Sequence, residues 1–521
     1  MNIIITLAGK SKRFYDEGYT KPKFLLEIDG KPMILHIADM FSTKDKFYFI
    51  FNNNQLRNNP EIYNIIETNV LNFEIISIKE HSEGPVYSAY QVKSISADEP
   101  VIITYCDFFV EWNYEKFKNE AINYDMAIPS FKGFHPASFG ETTYAYSKVN
   151  SDNELVMLKE KESFTNNRKE EYANSGIYYF KTWKTFKENT SQLIKKGYGP
   201  LKEGYVSLIA NYILNNGGKV LVTEVRKFIC WGTPKDYEIY RFWSECFLQK
   251  EFNAGSTVYA DLNLIPMAGL GSRFKNESYN VLKPLIQIGK KSMFTKASDS
   301  FPNAKKWIFI FTNSLKINNS NLLNEINKRF VNNYVKLINE PTSGQAATCL
   351  TVKEEINKNA SLFIASCDYV SVFNKSKWKE CIKDIDIDAF VWTVKANNII
   401  VRDPKAFAYC KINKKNNLVE RIVEKELISE TPEKDNLVIG SFWFRKGSTF
   451  VQAAENAITN DENVNGEHYI GNSLNFLINK GLKIKIFEVK QWISFGDPFE
   501  LEIYYYWEDF FYNRYNKKNP Y

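Results

Sequence analysis

Short apolar runs alternate with longer amphipathic stretches along the whole chain. Polar segments bound each run on both sides, as at residues 47–51, 101–104, 307–311 and 362–365. Runs of this kind are typical of strands that are buried on both faces of a mostly parallel sheet. The amphipathic stretches between them predict helices that cover both faces. The pattern therefore predicts an α/β fold with three layers.

The second half of the chain repeats the landmarks of the first half in the same order. Four pairs of segments match: 1–14 with 262–274, 23–28 with 283–288, 104–107 with 365–368, and 232–243 with 496–507. The period is about 260 residues, which is the size of a domain. We therefore predict two tandem domains, at residues 1–253 and 258–521, with the boundary among the turn-forming residues 251–256.

Composition and charge exclude several classes of protein. With 44% hydrophobic residues the chain is not disordered, and a net charge of +6 over 521 residues does not resemble a surface that coats nucleic acid. The seven cysteines are scattered and form no Cys-x-x-Cys pair, which indicates reduced thiols. No run of about 18 apolar residues occurs, and the apolar N-terminus is too short for a signal peptide. We expect a cytoplasmic protein without a membrane or nucleic-acid partner.

Each half begins with an apolar strand that runs into a turn of small residues and then an arginine. These turns are residues 9–13 and 269–273. Backbone N–H groups in such a turn can bind a triphosphate, and the arginine adds positive charge. One such turn is a weak signal, but both copies continue with a lysine and then with an aspartate at the end of a strand. The repeated order indicates a nucleotide site in each half.

With these motifs the chain resembles the sugar-phosphate nucleotidyltransferases, also called nucleotide-sugar pyrophosphorylases, and does so twice over nearly its whole length. The resemblance implies two Rossmann-like, GT-A-like domains that bind a nucleoside triphosphate and a small phosphorylated substrate. It implies these catalytic residues: Arg13, Lys23, Arg273 and Lys283. It implies these nucleotide-binding residues: Leu7, Ala8, Gly9, Ser11, Gly84, Met267, Ala268, Gly269, Gly271 and Gly344.

The same resemblance implies a magnesium site and an acceptor site in each copy. Asp107 and Asp368 correspond to the aspartate that binds Mg²⁺ in the family. The implied acceptor-binding residues are Glu160, Lys161, Asn174, Gly176, Glu424, Lys425 and Gly440. Glu-Lys dipeptides are also common on solvated surfaces, so that alternative stays open for both pairs.

Two departures from the family pattern affect these expectations. Ser11 stands where the second loop glycine is expected, so either the backbone there has an ordinary φ or the hydroxyl contacts phosphate. Cys230 and Ser494 stand where the family has its second metal-binding aspartate. Asp236 and Asp497 lie close by and could replace it, although we favour helix capping as their role.

The resemblance implies that the chain joins a nucleoside triphosphate to a sugar 1-phosphate with release of pyrophosphate, for capsule or lipopolysaccharide synthesis. Three alternatives remain: a CTP-dependent cytidylyltransferase for phosphocholine, alditol phosphate or phosphonate; one copy as a non-catalytic nucleotide-binding scaffold; and a glycosyltransferase. No Asp-x-Asp occurs at Asp107 or Asp368, which disfavours the last. Two active copies would make the chain bifunctional. Duplication favours a monomer or a low-order homo-oligomer.

Overall fold

The computed structural model describes residues 1–136, 144–248, 258–269, 271–277, 279, 281–313, 320–395 and 403–516. The chain divides into two compact units, Met1–Ser244 with Asp509–Tyr521 and Glu245–Glu508. The boundary predicted at residues 251–256 lies outside the described residues, so the domain limits 1–253 and 258–521 stay a prediction.

The first unit is built on a large sheet with the strand order β10-β9-β11-β8-β12-β6-β1-β4-β5, and β13 pairs with β8. Strands β5, β4, β1 and β6 run parallel, and antiparallel strands continue the sheet beyond β6. The strands are β1 Asn2–Thr6, β2 Glu27–Ile28, β3 Lys31–Pro32, β4 Lys46–Asn52, β5 Phe73–Ile78, β6 Val101–Thr104, β7 Phe108–Glu111, β8 Met126–Phe131, β9 Ala145–Val149, β10 Leu155–Glu160, β11 Tyr172–Asn174, β12 Ile177–Phe180, β13 Val220–Glu224 and β14 Lys227–Cys230.

The second unit repeats this plan with the order β19-β18-β15-β20-β25-β22-β26, and β23 and β24 extend the sheet from β25. Here too β15 lies between two parallel neighbours, β18 and β20. The strands are β15 Val258–Pro266, β16 Gln287–Ile288, β17 Lys291–Ser292, β18 Asn303–Thr312, β19 Asn333–Ile338, β20 Leu362–Ile364, β21 Tyr369–Val372, β22 Ala389–Lys395, β23 Ala408–Ile412, β24 Val419–Glu424, β25 Asn436–Phe444, β26 Ile484–Glu488 and β27 Gln491–Ser494.

Helices connect the strands in both units. They span Lys12–Asp16, Met33–Ala38, Asn53–Asn58, Glu61–Asn69, Pro85–Tyr90, Tyr114–Ala121, Trp183–Lys196, Ile209–Asn215, Pro234–Leu248, Ser272–Asn276, Met293–Asp299, Ser320–Arg329, Gln345–Leu350, Lys375–Cys381, Gly447–Thr459, Ile470–Asn479 and Pro498–Asn516. Short 3₁₀ turns occur at Lys23–Leu25 and Lys283–Leu285. Within the described ranges, no helix is both long and apolar enough to span a membrane.

The sheet of the second unit is buried on both faces. Ile265 and Phe309 pack into a core on one side, and their neighbours Leu264 and Ile308 pack into a separate core on the other side. Because successive side chains of a strand point to opposite faces, this alternation requires helices above and below the sheet. The three-layer α/β fold predicted from the apolar runs is confirmed.

Local sequence signals determine where individual helices begin and end. The helix Trp183–Lys196 begins after Thr182, whose hydroxyl accepts a hydrogen bond from the Thr185 N–H. Two lysines lie in its last turn, and Gly197 follows with a φ of 79°. An N-cap hydroxyl, basic residues at the C-terminus and a terminal glycine each stabilise a helix, so this element could be predicted from sequence alone.

The parallel strands position the site in both units. Strands β1, β4 and β6 end at Thr6, Asn52 and Thr104, on the same edge of the sheet. In α/β sheets, ligands bind outside the carboxyl ends of parallel strands. The predicted loop after β1 and the predicted aspartate after β6 therefore lie on the edge where a ligand is expected.

Candidate functional site

The loop after β1 is held by two side chains, one at the end of β4 and one in the helix that follows it. Asn52 donates a hydrogen bond to the carbonyl of Ala8 at 2.9 Å, and Gln55 donates to the carbonyls of Leu7 and Gly9, each at 2.8 Å. Asn52 and Gln55 also cap the helix Asn53–Asn58 reciprocally. With its carbonyls bound on the protein side, the loop can present its N–H groups outward.

Ser11 takes the same left-handed backbone conformation as the glycine that it replaces. Its φ is 51°, and the φ of Gly271 in the second unit is 61°. The ordinary φ considered for Ser11 is therefore wrong. Its hydroxyl accepts a hydrogen bond from the Lys23 N–H at 3.1 Å, which offsets part of the cost of a left-handed non-glycine residue.

The predicted lysine and aspartate meet in both units. Lys23 Nζ lies 2.5 Å from Asp107 Oδ2, and Lys283 Nζ lies 2.6 Å from Asp368 Oδ2. Burial acts to lower the pKa of Lys23, but the Asp107 carboxylate opposes it, and the pKa ends above its ordinary value. The side chains of Lys23 and Asp107 remain 23% and 21% exposed, so a ligand can reach both.

At the position of the missing second aspartate, the first unit has a thiol beside a buried carboxylate. Cys230 Sγ lies 3.4 Å from Asp236 Oδ2, and the Thr233 hydroxyl donates to the same oxygen at 2.7 Å. Burial raises the pKa of Asp236, and the charge of Asp107 adds to the effect. The Thr233 hydroxyl also accepts from the Asp236 N–H, so Thr233 caps the helix Pro234–Leu248.

In the second unit a different residue occupies the place of Asp236. Glu500 accepts hydrogen bonds from the Ser494 hydroxyl at 2.6 Å and from the Gly496 N–H at 2.9 Å, and burial raises its pKa to about 7. Asp497 caps the helix by accepting from the Glu500 N–H at 2.9 Å. The counterpart of Asp236 is therefore Glu500, which the match of 232–243 with 496–507 aligns with it, and not the candidate Asp497.

The predicted base-binding glycine is clamped to a segment that lies far away in the sequence. In the first unit the Val86 N–H donates to the Gly204 carbonyl at 3.1 Å, and the Gly204 N–H donates to the Glu83 carbonyl at 2.9 Å. A Cβ on Gly84 would lie 2.6 Å from the Gly204 oxygen. Only glycine allows the two backbones to approach this closely.

The second unit repeats the clamp with a different partner. The Ala346 N–H donates to the His468 carbonyl at 3.0 Å, and a Cβ on Gly344 would lie 2.6 Å from the His468 nitrogen. In each unit the residue after the clamp is a tyrosine, Tyr205 or Tyr469, which reaches the predicted acceptor site.

The Glu-Lys pair of the first unit is not a simple surface pair. Glu160 accepts a hydrogen bond from the Ser207 hydroxyl, and burial raises the pKa of Glu160 to about 7. Lys161 has a φ of 59°, and its Nζ lies 4.5 Å from the centroid of the Tyr205 ring. The Tyr205 hydroxyl donates to Glu203.

The second unit has the same arrangement at Glu424 and Lys425. Burial raises the pKa of Glu424 to about 7, and Lys425, with a φ of 55°, places its Nζ 5.2 Å from the centroid of Tyr469. The Tyr469 hydroxyl donates to Glu467. The Glu-x-Tyr motif at 203–205 and 467–469 was missed, although its recurrence after each Glu-Lys pair is a signal in the sequence.

The remaining predicted residues are placed less directly. Arg13 and Arg273 are exposed. The positive charge of each acts to lower the pKa of the tyrosine in its own unit, Tyr205 or Tyr469. Asn174 is only 4% exposed and accepts from the Ser147 hydroxyl at 2.8 Å, inside the sheet. Its contact with an acceptor stays a prediction. The predicted acceptor-site glycines, Gly176 and Gly440, both have a positive φ, 97° and 82°.

These segments gather into one cluster per unit, which contains the glycine loop, the Lys-Asp pair, the helix start with Asp236 or Glu500, and the clamp with the Glu-Lys pair. The cluster combines backbone N–H donors, cations and carboxylates, which is what binding and reacting phosphates require. Within the described part of the chain, no group of three or more His, Cys, Asp or Glu side chains is arranged to bind a metal ion by itself.

Both halves of the chain match sequence models of nucleotidyltransferases. Residues 262–510 match the nucleotidyl transferase family, and residues 3–153 match the MobA-like NTP transferase domain. Among curated proteins the chain is similar to the bifunctional protein GlmU of Methanococcus maripaludis strain C7, with 23% identity over 253 residues. That match covers 47% of this chain and 51% of the relative, so the chain spans about half the length of the curated relatives it matches.

Two solved structures are similar to part of the chain. One is a nucleoside-diphosphate-sugar pyrophosphorylase from Vibrio cholerae RC9, with 22% identity and a TM-score of 0.39, covering 46% of this chain and 98% of that chain. The other is the inositol-1-phosphate CTP transferase from T. maritima, with 13% identity and a TM-score of 0.38, covering 48% of this chain and 95% of that chain.

Gln55→Ala is expected to weaken nucleotide binding to the first unit by about 5- to 50-fold, because the carbonyls of Leu7 and Gly9 would lose their donor and the loop would no longer be held. Isothermal titration with nucleoside triphosphates measures the change. The control is Asn58→Ala, at an exposed position of the same helix. Equal affinities for the two variants would contradict the role of Gln55.

Gly344→Ala is expected to destabilise the second unit by about 2 kcal/mol more than Gly466→Ala does. Both glycines have a positive φ, 118° and 80°, but only a Cβ on Gly344 would collide with another backbone segment. The difference in stability between the two variants therefore measures the collision at the clamp, because both variants carry the cost of an alanine with a positive φ. Thermal unfolding of the two variants measures this difference. Equal losses of stability would show that the two backbone segments do not approach as closely as the structure indicates.

Glu160→Gln is expected to make the chain more stable than the wild type at pH 8 but not at pH 4. The folded-state pKa of about 7 lies above the ordinary value of 4.5, so the contribution of this group to stability is lost as pH rises between those values. The advantage of the variant should grow over that range to at most about 3 kcal/mol and then level off. Urea unfolding at a series of pH values measures it, with the exposed Glu162→Gln as control.

Proposed function

Since the chain belongs to the nucleotidyltransferase family, we propose that it joins a nucleoside triphosphate to a sugar 1-phosphate, releasing pyrophosphate and forming a nucleotide-activated sugar. The observation that carries the proposal is the duplicated cluster in which loop, lysine, aspartate and Glu-Lys pair come together in both units. We further propose that both units are active, that the chain acts as a monomer or a low-order homo-oligomer in the cytoplasm, and that its product serves surface polysaccharide synthesis.

The loop suits the triphosphate. A Cβ on Gly9 or Gly269 would meet no other atom within 4 Å, so packing within the protein does not require glycine at either position. Close approach of a phosphate to the loop N–H groups explains the glycine instead. Arg13 and Arg273 are exposed near the start of the following helix, where they can neutralise charge on the outgoing pyrophosphate.

The lysine suits the reacting phosphorus. In an in-line displacement, an acceptor phosphate oxygen attacks the α-phosphorus while the bond to pyrophosphate breaks, and negative charge accumulates on the oxygens. The protonated ammonium of Lys23 or Lys283 stabilises that charge. The attacking oxygen is already an anion, so no general base is needed, and no histidine belongs to the loop, the Lys-Asp pair or the Glu-Lys pair.

The aspartates suit a magnesium ion, which binds oxygen ligands and commonly uses one or two carboxylates together with substrate phosphates and water. Asp107 and Asp368 would bind it in the two units, and the charge of each acts on the nearby Asp236 or Glu500. Bound Mg²⁺ supplies positive charge that neutralises the triphosphate and aligns it. Asp497 caps a helix, so we do not assign it to the metal.

The acceptor side of the cluster suits a phosphorylated substrate with polar groups. Lys161 and Lys425 supply a cation for the acceptor phosphate, and Glu160 and Glu424 supply buried carboxylates that can accept hydrogen bonds from its hydroxyl or amino groups. A cytidylyltransferase acting on phosphocholine, an alditol phosphate or a phosphonate would use the same groups. The identity of the acceptor must therefore be measured.

Pyrophosphate release with Mg²⁺ tests the proposal directly. CTP, UTP, dTTP, GTP and ATP are tested separately against sugar 1-phosphates and against phosphocholine, alditol phosphates and phosphonates. Release with a sugar 1-phosphate supports the proposal, and release only with CTP and a non-sugar acceptor supports the cytidylyltransferase. Tight nucleotide binding without release from any pair would indicate a nucleotide-binding scaffold.

Lys23→Ala and Lys283→Ala are each expected to lower the kcat of their own unit by about 100- to 1,000-fold, because each variant removes a cation from the developing charge. The double variant should release pyrophosphate about 100- to 1,000-fold more slowly than the wild type with every substrate pair. The matched control is Lys116→Ala, because the side chain of Lys116 is 70% exposed and pairs with Glu120. If one of the single variants retained full activity toward every substrate pair, its unit would be a scaffold.

A further inference from the structure

We propose that the two units take different acceptors: the second unit a hydroxyl-rich hexose phosphate, and the first unit a compact short-chain alcohol phosphate. Tyr105 in the first unit and Ser366 in the second unit make the selection. The inference rests on the proposed function, because it concerns the acceptor side of the same site.

The two residues occupy equivalent positions. Tyr105 lies two residues before Asp107, and Ser366 lies two residues before Asp368. Both follow the central strand of their sheet, β6 or β20, and both are partly exposed. They therefore flank the same reacting centre, but one side chain is a large ring and the other a small hydroxyl.

The space around the acceptor-side glycine differs accordingly. A Cβ on Gly176 would lie 2.9 Å from Phe108 Cε1 and 3.1 Å from Tyr105 Cδ2, so two rings close over this glycine. Around Gly440 the nearest atoms are Ser366 Oγ at 3.6 Å and a ring carbon of Tyr369 at 3.9 Å. Side chains thus fill the space beside Gly176 in the first unit, whereas the space beside Gly440 in the second unit stays open.

Tyr105 extends from this glycine to the acceptor segment. Its hydroxyl accepts a hydrogen bond from the Val206 N–H at 3.2 Å, and Val206 lies between Tyr205 and Ser207, which contacts Glu160. Glu160 also adds to the rise in the pKa of Tyr105, for which burial is the main cause. The ring therefore forms a wall of the acceptor site rather than packing at a distance from it.

The second unit also has more hydrogen-bonding side chains at this place than the first unit. In the second unit Gln345 Nε2 donates to Ser366 Oγ at 3.2 Å, so an amide and a hydroxyl lie side by side at the start of the helix Gln345–Leu350. Pro85 takes the place of Gln345 in the first unit. Hydroxyl groups of a hexose could bond with the amide and serine, whereas the proline side chain and the tyrosine ring offer them fewer partners.

The chemical machinery is the same in the two units, so the difference concerns selection and not reaction. A site with polar groups that must be satisfied rejects acceptors that lack hydroxyls, and a site narrowed by a ring rejects acceptors that are too wide. Discrimination of tenfold or more is the usual result of either effect.

Calorimetric titration of the full chain with hexose 1-phosphates (glucose, galactose, mannose and N-acetylglucosamine) tests the inference without depending on turnover. The wild type should bind its preferred hexose 1-phosphate at one site per chain. Ser366→Tyr should weaken that binding at least tenfold, and Tyr105→Ser should create a second site. Ser366→Thr, which keeps the hydroxyl, and Tyr105→Phe, which keeps the ring, should each change hexose phosphate binding less than Ser366→Tyr and Tyr105→Ser do, and thermal unfolding verifies that all variants fold.

Two equivalent hexose phosphate sites in the wild type, unchanged affinity in Ser366→Tyr, or no hexose phosphate binding at all would each overturn the inference. Pyrophosphate release is measured separately on the same preparations. Release with phosphocholine alone, for example, would leave nucleotidyl transfer standing while the assignment of a hexose phosphate to the second unit fell. Absence of pyrophosphate release together with selective hexose phosphate binding would support the assignment of acceptors while nucleotidyl transfer fell.

Discussion

A lysine ammonium largely withdrawn from water needs a carboxylate beside it, and this requirement organises the site in each unit. Lys23 lies on a short turn after the glycine loop, and Asp107 follows the central strand β6, so their ion pair joins the loop to the sheet. Without Asp107, burial would lower the pKa of the ammonium. The second unit has the same pair, Lys283 and Asp368, at nearly the same distance.

The features that could be predicted from the sequence are those that a local pattern of residues determines. Alternating apolar runs predicted the sheets, and the repeat predicted that Lys23 and Asp107 have counterparts in the second half. The missed residues act through contacts between distant segments: Gln55 supports a loop 46 residues earlier in the chain, and Glu203 and Tyr205 are brought beside Glu160 by the clamp. No local pattern states which segments meet, although the repeated Glu-x-Tyr motif was visible.

The two units share backbone devices and differ in side chains. Ser11 keeps the left-handed conformation of Gly271, and the clamp keeps its hydrogen bonds whether Gly204 or His468 faces the glycine. Backbone geometry is thus preserved where a loop must present N–H groups or two segments must touch. Side chains differ around the proposed acceptor site, where substrate identity would be decided. Under the proposed assignment, this division lets the two copies keep one reaction and take different acceptors.

The central claim is that the α-phosphorus of a nucleotide is transferred to an acceptor phosphate. Phosphorus-31 NMR of the full chain with Mg²⁺, a nucleoside triphosphate and an acceptor phosphate tests it most directly. The account predicts loss of the triphosphate signals with equal appearance of pyrophosphate and of a new diphosphate diester. Formation of inorganic phosphate and nucleoside diphosphate, or no change with any nucleotide and acceptor, would contradict it.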